Sequence, residues 1–128
     1  MNKKYKILVV DDDEIIRDLL INFLKFSGYE GIGAINGQKA LEEFLAINET
    51  EDAFDLIITD IHMPLMNGFQ LLRAIKKIDS EMPVVFITGF AHFRRFFADK
   101  TARADGFLEK PFSLESIDNL VTRLLKGK

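Results

Sequence analysis

Three short runs of apolar, mostly β-branched residues punctuate the chain: Ile7-Leu8-Val9-Val10, Leu56-Ile57-Ile58 and Val84-Val85-Phe86-Ile87. Each reads as a strand buried on both faces, because no polar residue alternates through it. Two weaker strands are predicted at Gly31–Ile35 and at Gly106–Glu109. Between the strands, apolar positions recur at three- and four-residue spacing. Ile15, Ile16, Leu19, Leu20, Phe23 and Leu24 predict a first helix stopped by Gly28. After a turn at Asn36-Gly37, Ala40, Leu41, Phe44 and Leu45 mark a second, and Phe69, Leu71, Leu72 and Ile75 a third. A further helix is expected from about Ala91 to Ala102, and a last one, capped by Ser113, carries Leu114, Ile117, Leu120, Val121, Leu124 and Leu125. Strands alternating with helices in this way imply a doubly wound α/β fold, a parallel sheet covered by helices on each face.

Composition adds little to that architecture but excludes several chemistries. The chain has 128 residues, 48% hydrophobic and 29% charged, which suits one globular domain spanning 1–128, either free-standing or a piece of a longer chain. A net charge of −3 provides no field for direct nucleic-acid binding. Without cysteine there is no disulfide, thiolate metal site or cysteine nucleophile. The apolar run after Met1-Asn2-Lys3-Lys4-Tyr5 is too short for a signal peptide or a membrane span, so a cytoplasmic location is expected.

The chemistry gathers where the strands end. In a parallel sheet every carboxyl end opens on one edge, and there the sequence places Asp11 and Asp12, Asp60, Thr88 and Lys110. Two carboxylates a few Å apart repel by roughly 4 kcal/mol at an effective dielectric near 20, so three of them require a cation. Oxygen donors favour a hard ion such as Mg²⁺. Such an ion, shared by Asp12, Asp60 and a phosphoryl oxygen, would let a negatively charged donor approach an acidic pocket. Lys110 would balance a second oxygen, the Thr88 hydroxyl would hydrogen-bond a third, and Asp60 would be the nucleophile.

Taken together, Val-Val-Asp-Asp-Asp (9–13), Ile-Ile-Thr-Asp-Ile-His-Met-Pro-Leu-Met-Asn-Gly (57–68), Phe-Ile-Thr-Gly (86–89) and Phe-Leu-Glu-Lys-Pro-Phe (107–112) resemble the receiver domains of bacterial two-component response regulators over essentially the whole chain. The resemblance implies a flavodoxin-like sheet of order 2-1-3-4-5. It implies Asp60 as phosphoacceptor, and Asp11, Asp12 and the backbone carbonyl of His62 as further ligands of Mg²⁺ or Mn²⁺. It makes Thr88 and Phe107 a switch pair and Lys110 the site lysine, followed by a Lys110–Pro111 bond of a kind that is often cis. The implied partners are a histidine kinase or histidine phosphotransfer protein, and a downstream effector at the face of the 91–102 helix, the fifth strand and the last helix. Self-association into a homodimer on phosphorylation is a further expectation, and no membrane or direct nucleic-acid partner is implied. The domain would be a signalling switch, catalysing only its own phosphorylation and dephosphorylation.

Simpler roles stand beside these. Asp13 suits the positive end of a helix dipole rather than a metal. His62 and His92 have no second histidine or cysteine at ligand spacing, and Met63, Leu65 and Met66 read as turn and core packing. Phe93 and Phe97 fit the sheet side of their helix, whereas Phe96, beside Arg94 and Arg95, is either an outward interface anchor on the output face or core. The stretch between Gly37 and Asp60 is longer than in compact receivers, with the excess expected in the second helix or its exit, and Arg103 stands where a glycine usually ends the 91–102 helix. Three rival functions share parts of this pattern. An aspartyl-nucleophile phosphohydrolase would usually carry an acid where His62 stands. A dinucleotide- or flavin-binding module would want glycines rather than acids after the first strand. A phosphorylation-independent receiver-like binding module would not need the complete site. Phe90, two residues beyond Thr88, should hinder an attacking water. An acyl phosphate on this protein is therefore expected to outlast that of fast chemotaxis-type receivers, and its loss within seconds at room temperature without a phosphatase would contradict this.

Overall fold

The computed structural model describes residues 4–89 and 104–126. Five parallel strands, β1 (Lys6–Val10), β2 (Glu30–Ala34), β3 (Leu56–Asp60), β4 (Val84–Thr88) and β5 (Gly106–Glu109), form one sheet in the order β2-β1-β3-β4-β5. Four helices are described: α1 (Glu14–Phe26), α2 (Gly37–Ile47), α3 (Gly68–Ile78) and α4 (Leu114–Leu125). None of the described helices is long and apolar enough to cross a membrane. The expected 91–102 helix, with Phe90, His92, Phe96 and Arg103, lies outside the described residues.

Alternation along each strand divides the interior into two cores. Leu8, Val10, Ile57, Val84 and Phe86 face α2 and α3, packing with Ala40, Phe44, Leu71, Leu72 and Ile75. Their sequence neighbours Ile7, Val9, Leu56, Ile58, Val85 and Ile87 face the other way, onto Leu20 and Leu24 of α1 and Ile117, Val121 and Leu125 of α4. Both faces are thus filled from one unbroken apolar run per central strand.

Helix starts are set by polar side chains that satisfy otherwise unpaired amides. Asp13 accepts from the Ile15 and Ile16 amides at 2.9 and 3.4 Å, the role its position predicts. Asn67 and Gln70 form a reciprocal capping box at α3, and Ser113 and Ser116 do the same at α4. Below the sheet, the Lys76 ammonium donates to the Met82 carbonyl at 2.6 Å and to Asp105 at 3.0 Å, while the same Asp105 oxygen accepts the Val84 amide. The connection 48–55 between α2 and β3 sits at this same lower end. It is held by Thr50, which donates to the Ile47 carbonyl, and by Asp55, which accepts the Lys6 amide.

Local periodicity placed the described helices, but it left open which of their apolar residues are covered, and it put a turn where α2 begins. Asn36-Gly37 is a helix start rather than a free turn: Asn36 accepts the Lys39 amide, and Gly37 is the first residue of α2. Ile15 is 78% exposed and Leu19 is also exposed, because the buried face of α1 is centred on Leu20 and Leu24. Leu45 points outward from α2, and the exposed Ile35 falls beyond the end of β2. Leu65 is 77% exposed with a φ of 70°, so of the three loop residues only Met63 and Met66 contribute packing. Leu20→Ala is expected to cost about 2–5 kcal/mol in urea unfolding. Ile15→Ala should change stability by less than about 0.5 kcal/mol.

Candidate functional site

β1 lies between β2 and β3, so the chain reverses its winding there, and the crevice at the carboxyl ends of β1 and β3 is where such sheets bind ligands. Asp11 and Asp12 follow β1 directly, and Asp60 is the last residue of β3. Pairing of Val10 with Thr59 brings the two strand tips side by side. One carboxylate oxygen from each of Asp11, Asp12 and Asp60 can lie within 4.8 Å of the others. The acids expected to converge do so.

Asp11 is fully buried. Its Oδ1 accepts the Asp13 amide at 2.9 Å, but Oδ2 has no hydrogen-bond partner among the described residues. Burial pushes its carboxyl up to about 6, reinforced by the charges of Asp60 and Asp12 and opposed by the Asp13 amide and Lys110. Asp60 is raised chiefly by burial, with Asp12 adding to the effect. The Ile61 amide, bound to its Oδ1 at 2.8 Å, and the charges of Lys110 and His62 oppose it. An orphaned buried carboxylate oxygen beside two more carboxylates is what a hard divalent ion would satisfy, and the donor set, all oxygen, suits Mg²⁺ or Mn²⁺.

Thr88 ends β4, and the Lys110 amide donates to its carbonyl at 2.8 Å. Asp60, His62, Thr88 and Lys110 line one cavity of about 210 Å³, completed by Ile61, Ile87 and Gly89. His62 is exposed at the cavity mouth, and the Lys110–Pro111 peptide bond is cis. Phe107 pairs in register with Phe86, two residues before Thr88, so Thr88 and Phe107 belong to the same face of the sheet. The Phe107 ring, half-buried, lies 6.1 Å from that of Phe86, and Phe86 meets Phe69 of α3 edge-on at 5.3 Å.

Four supporting residues went unnoticed in the sequence. Arg17 donates from Nη1 to the Asp11 carbonyl at 2.9 Å, and Thr59 donates to the carbonyl of Asp60. Gly68 starts α3 where an added Cβ would lie 2.5 Å from that same Asp60 oxygen. Gly37 makes an equally close approach to the carbonyl of Met66. Only the glycines carried a signal, since a glycine can mark a close approach of two backbones, although Asn36-Gly37 by itself reads as a turn.

The response regulator receiver domain profile matches residues 7–122. The transcriptional regulatory protein YrkP of Bacillus subtilis is 39% identical over 126 residues, 95% of this chain and 50% of that protein. The response regulator receiver protein CpdR of Brucella abortus is 34% identical over 120 residues, covering 94% of this chain and 96% of that one. The chain therefore spans about half the length of YrkP and nearly all of CpdR. Among solved structures, the Vibrio cholerae chemotaxis protein CheY4 superposes with a TM-score of 0.84 at 30% identity, over 96% of this chain and 100% of that chain. TrrA from Thermotoga maritima, in complex with Mg(2+)-BeF, gives a TM-score of 0.82 at 34% identity over 94% and 99%.

A raised carboxyl has a definite sign in folding. Between about pH 4 and pH 6 the folded protein binds more protons at Asp11 than the unfolded chain does. Its contribution is thus fully present below the unfolded value and is lost as pH rises through about 6. A shift from 3.8 to about 6 corresponds to roughly 3 kcal/mol. Without divalent ions, Asp11→Asn should therefore be more stable than the parent at pH 7 and show little advantage near pH 4. Mg²⁺ should stabilise the parent more at pH 7 than at pH 5, and stabilise Asp11→Asn least. Urea unfolding with and without Mg²⁺ checks each of these.

Proposed function

The chain belongs to the response regulator receiver family of two-component signalling, and from that premise we propose that Asp60 accepts a phosphoryl group from a phosphohistidine of a histidine kinase or histidine phosphotransfer protein. In the transfer, a carboxylate oxygen of Asp60 forms a bond to phosphorus while the phosphorus–nitrogen bond to the donor imidazole breaks, and the electron pair stays on that nitrogen. The observation that carries the reading is the meeting of Asp11, Asp12 and Asp60 beside the cavity shared with Thr88 and Lys110.

The chain's own groups divide the work. The Ile61 amide fixes the rotation of the Asp60 carboxylate by holding Oδ1. The Lys110 ammonium offsets charge on the transferred group, and the Thr88 hydroxyl donates to one of its oxygens. Asp11, Asp12, Asp60 and the His62 carbonyl would hold Mg²⁺ or Mn²⁺, which when bound neutralises phosphoryl charge. The fit to TrrA, solved with Mg(2+)-BeF, supports that ion.

Phosphorylation then shifts a two-state equilibrium. Drawing the Thr88 hydroxyl toward the new group alters the sheet face it shares with Phe107, and the Phe107 ring turns inward. The face bearing Phe107 presents the result to a downstream effector or to a second phosphorylated copy. The domain is a switch with no turnover substrate of its own.

Incubation with acetyl phosphate and Mg²⁺, followed by intact mass, should show the gain of one phosphoryl group, lost in Asp60→Asn. Lys110→Ala should slow the gain about a hundredfold. Steady phosphate release from small esters would instead favour a hydrolase.

A further inference from the structure

We propose that Gly37, the first residue of α2, is a positioning residue for the loop 61–67, and through it for the backbone oxygen that this loop offers to the divalent ion. The inference rests on the reading of His62 as a ligand through its carbonyl.

The loop leaves the strand tip at Asp60 and returns to α3 at Gly68. Its root is closed by the Gly68 amide, which donates to the Ile61 carbonyl at 2.8 Å, and by the Ile61 amide on the Asp60 carboxylate. His62 follows immediately, between the pinned Ile61 and the buried Met63. The crown of the loop is less self-sufficient. Leu65 occupies the left-handed region at φ 70°, its side chain in solvent, and the Met66 amide turns back onto the Pro64 carbonyl at 2.8 Å. A non-glycine residue in that region persists only where its surroundings hold it.

The hold comes from α2. The Gly37 amide donates to the Met66 carbonyl at 3.2 Å. It is free to do so because the Asn36 side chain caps the helix on Lys39 instead. Gly37 is buried, and a Cβ built on it would lie 2.5 Å from the Met66 oxygen, 2.9 Å from Met66 Cγ and 3.0 Å from Met66 Cβ. Its φ is not in the positive region, which among the described glycines only Gly28 occupies. The backbone there would accept any residue. Glycine is needed for space alone, and the space is filled by the loop that carries His62. Any side chain at 37 must push the crown away from α2, and the displacement is passed to the ligand oxygen four residues back.

The test compares Gly37→Ala with Gly31→Ala, the same change on β2, where the added carbon meets Ile21 at an ordinary 3.4 Å. Mg²⁺ affinity is measured by calorimetry at a temperature where all proteins are folded, and amide hydrogen exchange is measured without metal. Gly37→Ala is expected to bind Mg²⁺ about tenfold more weakly and to exchange faster across 61–68, with Gly31→Ala matching the parent in both. A residue that merely supported the fold would leave the affinity of the folded protein unchanged, and that result in Gly37→Ala overturns the proposal. Should Gly37→Ala not fold, Met66→Ala, which removes the packing against Gly37 without a clash, takes its place: weaker Mg²⁺ binding with faster exchange across 61–68 supports the proposal, and unchanged affinity overturns it. A parent protein that binds no Mg²⁺ overturns the metal reading itself. A parent that binds it while Gly37→Ala binds equally well overturns only the role of Gly37.

Discussion

Mutual repulsion among Asp11, Asp12 and Asp60 is the constraint around which the upper edge of the sheet is built. The acids are far apart in sequence, and the pairing of β1 with β3 forces them together. Asp11 carries the heaviest cost, being buried with one oxygen unpaired among the described residues. The fold tolerates this because its interior is filled elsewhere: each central strand supplies two cores at once, and the caps of α1, α3 and α4 satisfy their own amides. Stability is generated below and beside the site, and spent at the site as an unsatisfied negative field.

That division explains why the supporting residues all act on backbone rather than on the acids. Arg17 holds the Asp11 carbonyl, Thr59 and Gly68 meet the Asp60 carbonyl, and Gly37 meets that of Met66. An arginine or lysine paired tightly with these carboxylates would compete with a divalent ion for their oxygens. A donor on the neighbouring carbonyl fixes position without doing so.

The strands and the site acids were legible because both signals are local. Unbroken apolar runs end in charged or hydroxylic residues, and parallel topology then determines that those ends meet. The faces of α1 and α2 were less legible. Ile15, Leu19 and Leu45 fit helical spacing as well as Leu20 and Phe44 do, and only the angle at which a helix meets the sheet decides which are covered. Arg17 and Thr59 gave no signal, since their contacts are to carbonyls that sequence does not mark. Asn36-Gly37 by sequence alone suggests a turn, because that dipeptide commonly makes one, whereas here each residue serves the start of a helix in a different way.

The two-core arrangement also dictates where such a chain can change length. Because residues of odd and even rank in a strand belong to opposite interiors, inserting one residue inside β1, β3 or β4 would exchange the two sets and unseat the four described helices together. Growth is confined to places with no parity to keep. The polar connection 48–55, tied down at its ends by Thr50 and Asp55 on the side away from the acids, is such a place, and it is there that a lineage, or an engineer, can add chain without disturbing the chemistry.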